Sequence, residues 1–207
     1  MASRVIPTQS RLPRGRRKQQ IVEIVLDLIS QRGVEAVSIQ LIADTIGISQ
    51  PAVFRHFPNK EAIWTAVMDW LEEQLGAIYS DANVQHDAAE PVVFRRMFLE
   101  HIRLIERYPA LAKLVFADNL RLEYPILQER FAIIHRRYTA RLIKLIDRGK
   151  LAGTVSHSVA SRYAATTFLC LVQGLAFQFA IARLPMRLLP DSEQVLGLYL
   201  KAIAADA

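Results

Sequence analysis

Residues 38–61, SIQLIADTIGISQPAVFRHFPNKE, decide how the rest of the chain is read. Ser38 stands before an apolar set, Ile39, Ile42, Ala43 and Ile46, whose spacing lines one face of a short helix. Gly47 stops that helix, because glycine takes the left-handed conformation after a helix end without a Cβ clash. Ser49 is placed to cap a second helix. Pro51 is tolerated in its first turn, where the amide hydrogen it lacks would have no partner anyway. Val53, Phe54 and Phe57 give the second helix an inner side, and Gln50, Ala52, Arg55 and His56 point elsewhere. Pro58 ends it, and Asn59 can cap a third helix that opens with Lys60 and Glu61. Two short helices joined by a tight glycine turn, the second with an outward polar side, make a helix-turn-helix.

Upstream of this motif, Ile21, Ile24, Val25, Leu28 and Ile29 form a helical stripe ended by Gly33, a brace for the two short helices. Before it lies a basic arm. Residues 1–18 carry Arg4, Arg11, Arg14, Arg16, Arg17 and Lys18 with no acid, which accounts for the whole net charge of +6. The remainder is balanced, so the cationic excess sits beside the helix-turn-helix, where phosphate neutralisation is useful. Residues 1–15, with Pro7, Pro13 and Gly15, read as disordered in isolation. No apolar run follows the charges before Ile21, so a secretory signal is not expected.

Downstream, the third helix continues through Ile63, Trp64, Val67, Met68, Leu71 and Leu75, long enough to link a small head to a larger body and transmit movement. Asp81 to Pro91 is polar and breaker-rich and reads as a loop or boundary. A helix with Val93, Phe94, Met97, Phe98, Ile102 and Ile105 inward ends before Pro109, and a short apolar helix is expected over 110–120. Pro125 restarts the chain into a long helix to about Arg148 with Ile126, Phe131, Ile134, Tyr138, Leu142 and Leu145 inside, and Gly149 and Gly153 bracket a turn. No strand-like alternation and no internal repeat occur, so the fold class is all-α. The expected division is a flexible arm (1–15), a three-helix head carrying the helix-turn-helix (16–62) and a C-terminal helical body (63–207). At 207 residues and 52% hydrophobic, the chain can bury a sizeable core.

Residues 163–182, YAATTFLCLVQGLAFQFAIA, contain no charge and reach the length of a membrane span. Dispersed Thr166, Thr167, Gln173 and Gln178 argue instead for a helix buried by its own core on one side and a twin subunit on the other. Gly174 and Ala176 would permit close approach, and a last helix near 192–204 would complete the contact. A protein anchored in a membrane through 163–182 is the rival from a different class.

The chain resembles the TetR family of bacterial transcriptional regulators at Ile42-Ala43, Gly47-Ile48-Ser49 and Phe54-Arg55-His56-Phe57-Pro58-Asn59-Lys60-Glu61, over roughly Arg16 to Leu75. The resemblance implies that Gln50, Pro51, Ala52 and Arg55 present to the major groove and that His56 and Lys60 meet phosphates. Chemically, Gln50 suits adenine, Arg55 guanine and Ala52 a thymine methyl. Lys60 and Ser38 lie at helix starts, which favour phosphate. Arg16 and Arg17 suit a minor groove or a loose phosphate contact. Ser49 and Phe54 complete the set, although the family usually carries Tyr where this chain has Phe54, so a phenolic phosphate contact is absent.

The same resemblance implies a homodimer paired through its last two helices on a near-palindromic double-stranded operator, with half-sites ~34–36 Å or a multiple apart. It further implies release by a small molecule bound among the middle helices. Candidate contacts for an apolar or aromatic effector are Phe98, His101, Phe116, Asn119, Tyr124, Phe131, His135, Thr167, Phe168, Cys170 and Gln173. A repressor is the expected sign, and a DNA-organising protein of the same fold without an effector is the alternative. Cys170 is the only cysteine, so no internal disulfide forms and a reducing cytoplasm is the expected setting. It reads as inert packing. The five histidines are scattered, and no HExxH, Walker loop, GxGxxG or GxSxG occurs, so neither an enzyme, a cofactor nor a metal site is expected.

Overall fold

The computed structural model describes residues 13–80, 89–181 and 188–205. Arg4 and Arg11 of the basic arm, residues 81–88 of the expected loop, and Ala182 lie outside them. The described residues form ten helices: α1 (Arg14–Arg32), α2 (Ile39–Ile46), α3 (Gln50–Phe54), α4 (Lys60–Tyr79), α5 (Glu90–Arg107), α6 (Ala110–Val115), α7 (Asp118–Glu123), α8 (Pro125–Leu151), α9 (Ser161–Ile181) and α10 (Leu188–Ile203). The chain is all-α, and its one extended pairing among these residues is an isolated bridge between Val155 and Ala204.

The head is built as its apolar spacing dictates. Ile21, Val25 and Ile29 of α1 are fully buried, together with Ile42 of α2 and Val53 of α3. Each such side chain contributes ~1.5–3 kcal/mol relative to exposure. Ser38 Oγ accepts from the Leu41 amide at 3.1 Å, capping α2, and Gly47 closes it with φ 76° and ψ 38°. Asn59 Oδ1 caps α4 through the Ala62 amide at 2.8 Å. Two expectations are corrected. Ser49 starts α3 with no side-chain cap bond, and Phe54 is 44% exposed instead of facing inward. Helix α3 is short, and residues 55–57 continue it as a turn in which the amides of His56 and Phe57 bond to the Val53 carbonyl. That turn rotates Phe57, not Phe54, into the core beside Val53.

Helix α4 leaves the head with Ile63, Trp64, Val67 and Met68 buried, and runs on to Leu75 and Tyr79 in the body. Arg130 and Arg137 of α8 hold Asp69 and Glu72 of α4, the first pair at 2.9 Å. Pro91, read as loop, lies in the first turn of α5, where proline is tolerated. The expected 110–120 helix is broken into α6 and α7 around Phe116 and Ala117. Gly149, expected to open a turn, lies within α8, which extends beyond Arg148, and a Cβ there would meet Val155 Cγ2 at 2.6 Å. Only hydrogen fits.

Helix α9 is long and apolar enough to cross a membrane, by length and composition. Its inner side, however, is used by the protein core. Phe168 is fully buried against Phe98 (ring centroids 5.3 Å apart), Phe94 and Tyr199, and the Tyr199 hydroxyl donates to the Ala164 carbonyl at 3.1 Å. Ala176 lies on this inner side, whereas Gly174 is exposed. Cys170 also faces outward, which corrects its reading as packing.

Candidate nucleic-acid interface and ligand cavity

The Ser38 cap, the Gly47 turn and the Asn59 cap set the starts of α2, α3 and α4. None of the eleven residues proposed for DNA is buried: Arg16, Ser38, Ser49, Pro51, Phe54 and Arg55 are exposed, and Arg17, Gln50, Ala52, His56 and Lys60 half-buried. Gln50 Nε2 donates to Gln40 Oε1, and Gln40 Nε2 in turn donates to Asp44 Oδ1 at 2.5 Å. A chain of amides across the Gly47 turn thus aims Gln50. Sequence reasoning missed Gln40, because the pair is ten residues apart and joined only when the turn is formed. Arg17 is occupied by Gln20 Oε1 at 2.6 Å. Lys18, 5.3 Å from the centre of the Phe57 ring, ties the start of α1 to the end of α3, and Lys60 lies 5.8 Å from the Trp64 ring. Such contacts hold the cations in place while leaving their charge available, at about 0.5–1 kcal/mol each.

The body carries a second site. Beneath α4 lies a cavity of about 120 Å³ lined by Leu71, Leu75, Ile105, Leu111, Val115 and Leu169, with His101, Tyr138, His135 and Gln173 as its polar members. Of the eleven effector candidates it gathers His101, Phe116, Phe131, His135 and Gln173. Phe98 and Phe168 are core, behind the lining. Asn119 is exposed and donates to Glu35 at 3.1 Å on a separate cleft over the α1–α2 turn. Tyr124 precedes α8, and Thr167 and Cys170 are on the outward face of α9, all outside the cavity.

His101 is the half-buried polar node of this body. Its Nδ1 lies 3.0 Å from the Tyr79 hydroxyl and 3.1 Å from that of Tyr138, whose rings stack on each other at 4.1 Å. Burial pulls the imidazole down to about 4 and pushes both phenols up, so all three are neutral at pH 7.

Helix α6 joins the cavity to the head. Its Leu111, Ala112 and Val115, with Phe116 just after it, line the cavity, while Lys113 Nζ donates to the Ile29 and Ser30 carbonyls of α1 at 3.2 and 2.6 Å. Ser30 Oγ accepts from the Ala110 amide at 3.0 Å. A cation on the last carbonyls of α1 also meets the negative end of its dipole. Sequence reasoning assigned the connection to α4 alone.

Residues 21–67 match the family described as bacterial regulatory proteins, tetR family. A nucleoid occlusion factor SlmA of Pasteurella multocida is 29% identical over 138 residues, 65% of this chain and 68% of its own. The crystal structure of a TetR transcription regulator from Haloarcula marismortui superposes with a TM-score of 0.77 at 18% identity, covering 92% of this chain and 99% of that one. The transcriptional regulator FadR from Bacillus subtilis, in complex with stearoyl-CoA, gives 0.74 at 19% identity over 89% and 98%.

Proposed function

From the premise that residues 21–67 are a tetR-family domain on a body with the fold of TetR-family regulators, we propose that the protein is a homodimeric, one-component transcriptional regulator. It acts by binding, not by catalysis, in the cytoplasm. Residues 16–62 form the DNA-binding head, and 63–207 the effector and pairing body. The observation that carries the reading is the set Gln50, Pro51, Ala52 and Arg55, none of them buried, together with Ser38 and Lys60 at two helix starts. Gln50, steadied by Gln40, and Arg55 read base edges, and Ala52 meets a thymine methyl. Lys60, Ser38 and His56 take phosphates. Phe54, being exposed, adds apolar contact on the same face without a phenol oxygen.

Regulation follows from the cavity. Its walls include α4, which begins at Lys60, and α6, which holds the end of α1. A molecule in the cavity that fits one spacing of the two heads better than another shifts affinity for the operator by that difference. Repression relieved by ligand is the direction proposed. Selection of bound sequences from a random duplex pool tests head and pairing together: a two-fold consensus with half-sites ~34–36 Å or a multiple apart is expected. A protein that stays monomeric and ignores every duplex at low ionic strength ends the reading.

A second reading keeps the DNA binding and dispenses with the effector, as a DNA-organising protein. The resemblance to a protein named as a nucleoid occlusion factor favours it. Binding sites scattered through a genome away from promoters, with no small molecule altering affinity, would decide for it.

A further inference from the structure

The node at His101 has a hydrogen-bond count that leaves one donor unspent. Three polar groups meet there: His101 Nδ1 and the hydroxyls of Tyr79 and Tyr138. If Nδ1 carried the imidazole hydrogen, three hydrogens would share two oxygens, and one hydroxyl proton would be buried without an acceptor. If Nδ1 is bare, one tyrosine donates to it and the other donates to the first tyrosine's oxygen, and every proton is used. An unmade buried bond costs about 1–3 kcal/mol, so the second arrangement prevails. The hydrogen of the neutral ring is therefore on Nε2. No acceptor among the described residues pairs with it, and the ring lines the cavity.

The rest of the lining limits what can take that hydrogen. Leucines, isoleucines, Val115, Val172 and two phenylalanines surround a space of about 120 Å³. A cavity of about 150 Å³ with similar walls accommodates benzene, so this smaller one takes a single unsubstituted ring at most, and a long acyl chain or fused-ring skeleton does not fit. The donor is neutral, so a buried charge opposite it would be poorly compensated.

We propose that the effector is a neutral single-ring molecule bearing one hydrogen-bond acceptor, its ring among Leu71, Leu75, Val115 and Phe131 and its acceptor on His101 Nε2–H. This rests on the regulator reading, and it names the chemistry of the molecule. The Tyr79–Tyr138 pair is the positioning element: it fixes the tautomer, so that His101 offers the cavity a donor and not an acceptor.

Pyridine, with one ring-nitrogen acceptor, and benzene, its isostere without one, are the probes for calorimetry on the full chain at pH 7.5. Pyridine is expected to bind about tenfold tighter or more, since benzene leaves the donor unpaired. His101→Phe should abolish the preference. If that variant does not fold, ¹⁵N–¹H spectra of wild-type histidines read the same bond: the His101 Nε2–H resonance should move with pyridine and stay with benzene. Equal affinities, no binding of either probe, or an unmoved resonance overturns the proposal. Duplex binding by the ligand-free protein is measured in parallel. Its absence overturns the regulator reading, whereas its presence without a probe preference overturns this assignment alone.

Discussion

At the scale of single residues, the head separates reading from holding. Arg55 is exposed and forms no ion pair among the described residues, so a guanine edge would meet an uncommitted guanidinium. Arg55→Ala should cost about 1–3 kcal/mol at the operator and relax preference at one base pair, as measured by competition with point-substituted duplexes. Lys60→Ala should instead weaken all duplexes alike and reduce the slope of log affinity against log salt by about one. A slope left untouched removes Lys60 from the phosphate set. In the body, His101 and Glu90 make stability fall in acid, in two windows. Burial lowers the folded pKa of His101 to about 4, while the unfolded ring titrates near ~6.5. Above the unfolded value neither state binds the proton. As pH falls from there towards about 4 the unfolded state alone takes it up, so stability drops, by about 3 kcal/mol if the full interval is realised. Glu90 is lowered too: burial alone would raise it, but its backbone amide, Thr154 and Arg148 together outweigh that. Its contribution is present above the usual carboxylate range and is lost as pH falls through its depressed value. Urea melts across pH 3.5–7 should show the histidine window vanish in His101→Phe and the lower one persist, the range being about that set by the ordinary pKa values.

At the scale of elements, what the sequence revealed was what repeats locally. The α2 cap, the Gly47 stop, the Asn59 cap and the stripes of α1, α4, α5 and α8 are each written within a few turns of chain, and the structure carries them. Features that depend on distant packing were not legible. Phe54 and Phe57 look equivalent by type, and only the turn after α3 decides that Phe57 goes in. The same holds for Gln40 with Gln50, for Tyr79 with His101, and for the division of polar groups on α9 between cavity and outer surface. Lys113 is the clearest case, since its carbonyl partners on α1 are 83 and 84 residues away. Lys113→Met keeps the aliphatic stem and removes the clamp. Stability should fall by about 1–2 kcal/mol. More tellingly, a cavity ligand should lose part of its effect on DNA affinity while its own binding is unchanged. If ligand affinity and coupling both survive, α4 carries the signal without α6. Gly149→Ala tests another distant contact: the new methyl overlaps Val155 and should cost about 1–3 kcal/mol, recovered in part by Val155→Ala.

At the scale of the whole molecule, the outward face of α9 is little used in a single copy: Phe177 near its end meets Phe116, with ring centroids 5.1 Å apart, and the rest faces out. Tyr163, Thr166, Thr167, Cys170, Gly174 and Phe177 share one side of the helix, with Tyr163 72% and Phe177 44% exposed, and no charge among them. From 163 to 178 this strip is ~23 Å long and, at the ~10 Å width of a helix, offers about 230 Å². A stable pairing buries about 800 Å² per partner, so α9 cannot suffice alone. In the proposed dimer the outward side of α10, where Leu198 is 70% exposed, adds to the strip, giving a four-helix contact to which neighbouring surface also contributes. Thr167 lies near the middle of the strip, and in a two-fold interface a substitution there is felt twice. Thr167→Arg, on an exposed position, leaves the internal packing of one copy alone but would bury two like charges across the axis. Sedimentation should show a monomer with unchanged helical circular dichroism. Binding to a single half-site should persist, because the head is untouched. Affinity for the paired site should fall by about 10²–10⁴, the advantage that linking two heads confers. A Thr167→Arg protein that remains dimeric would place the pairing surface elsewhere and leave the apolar strip on α9 to another partner.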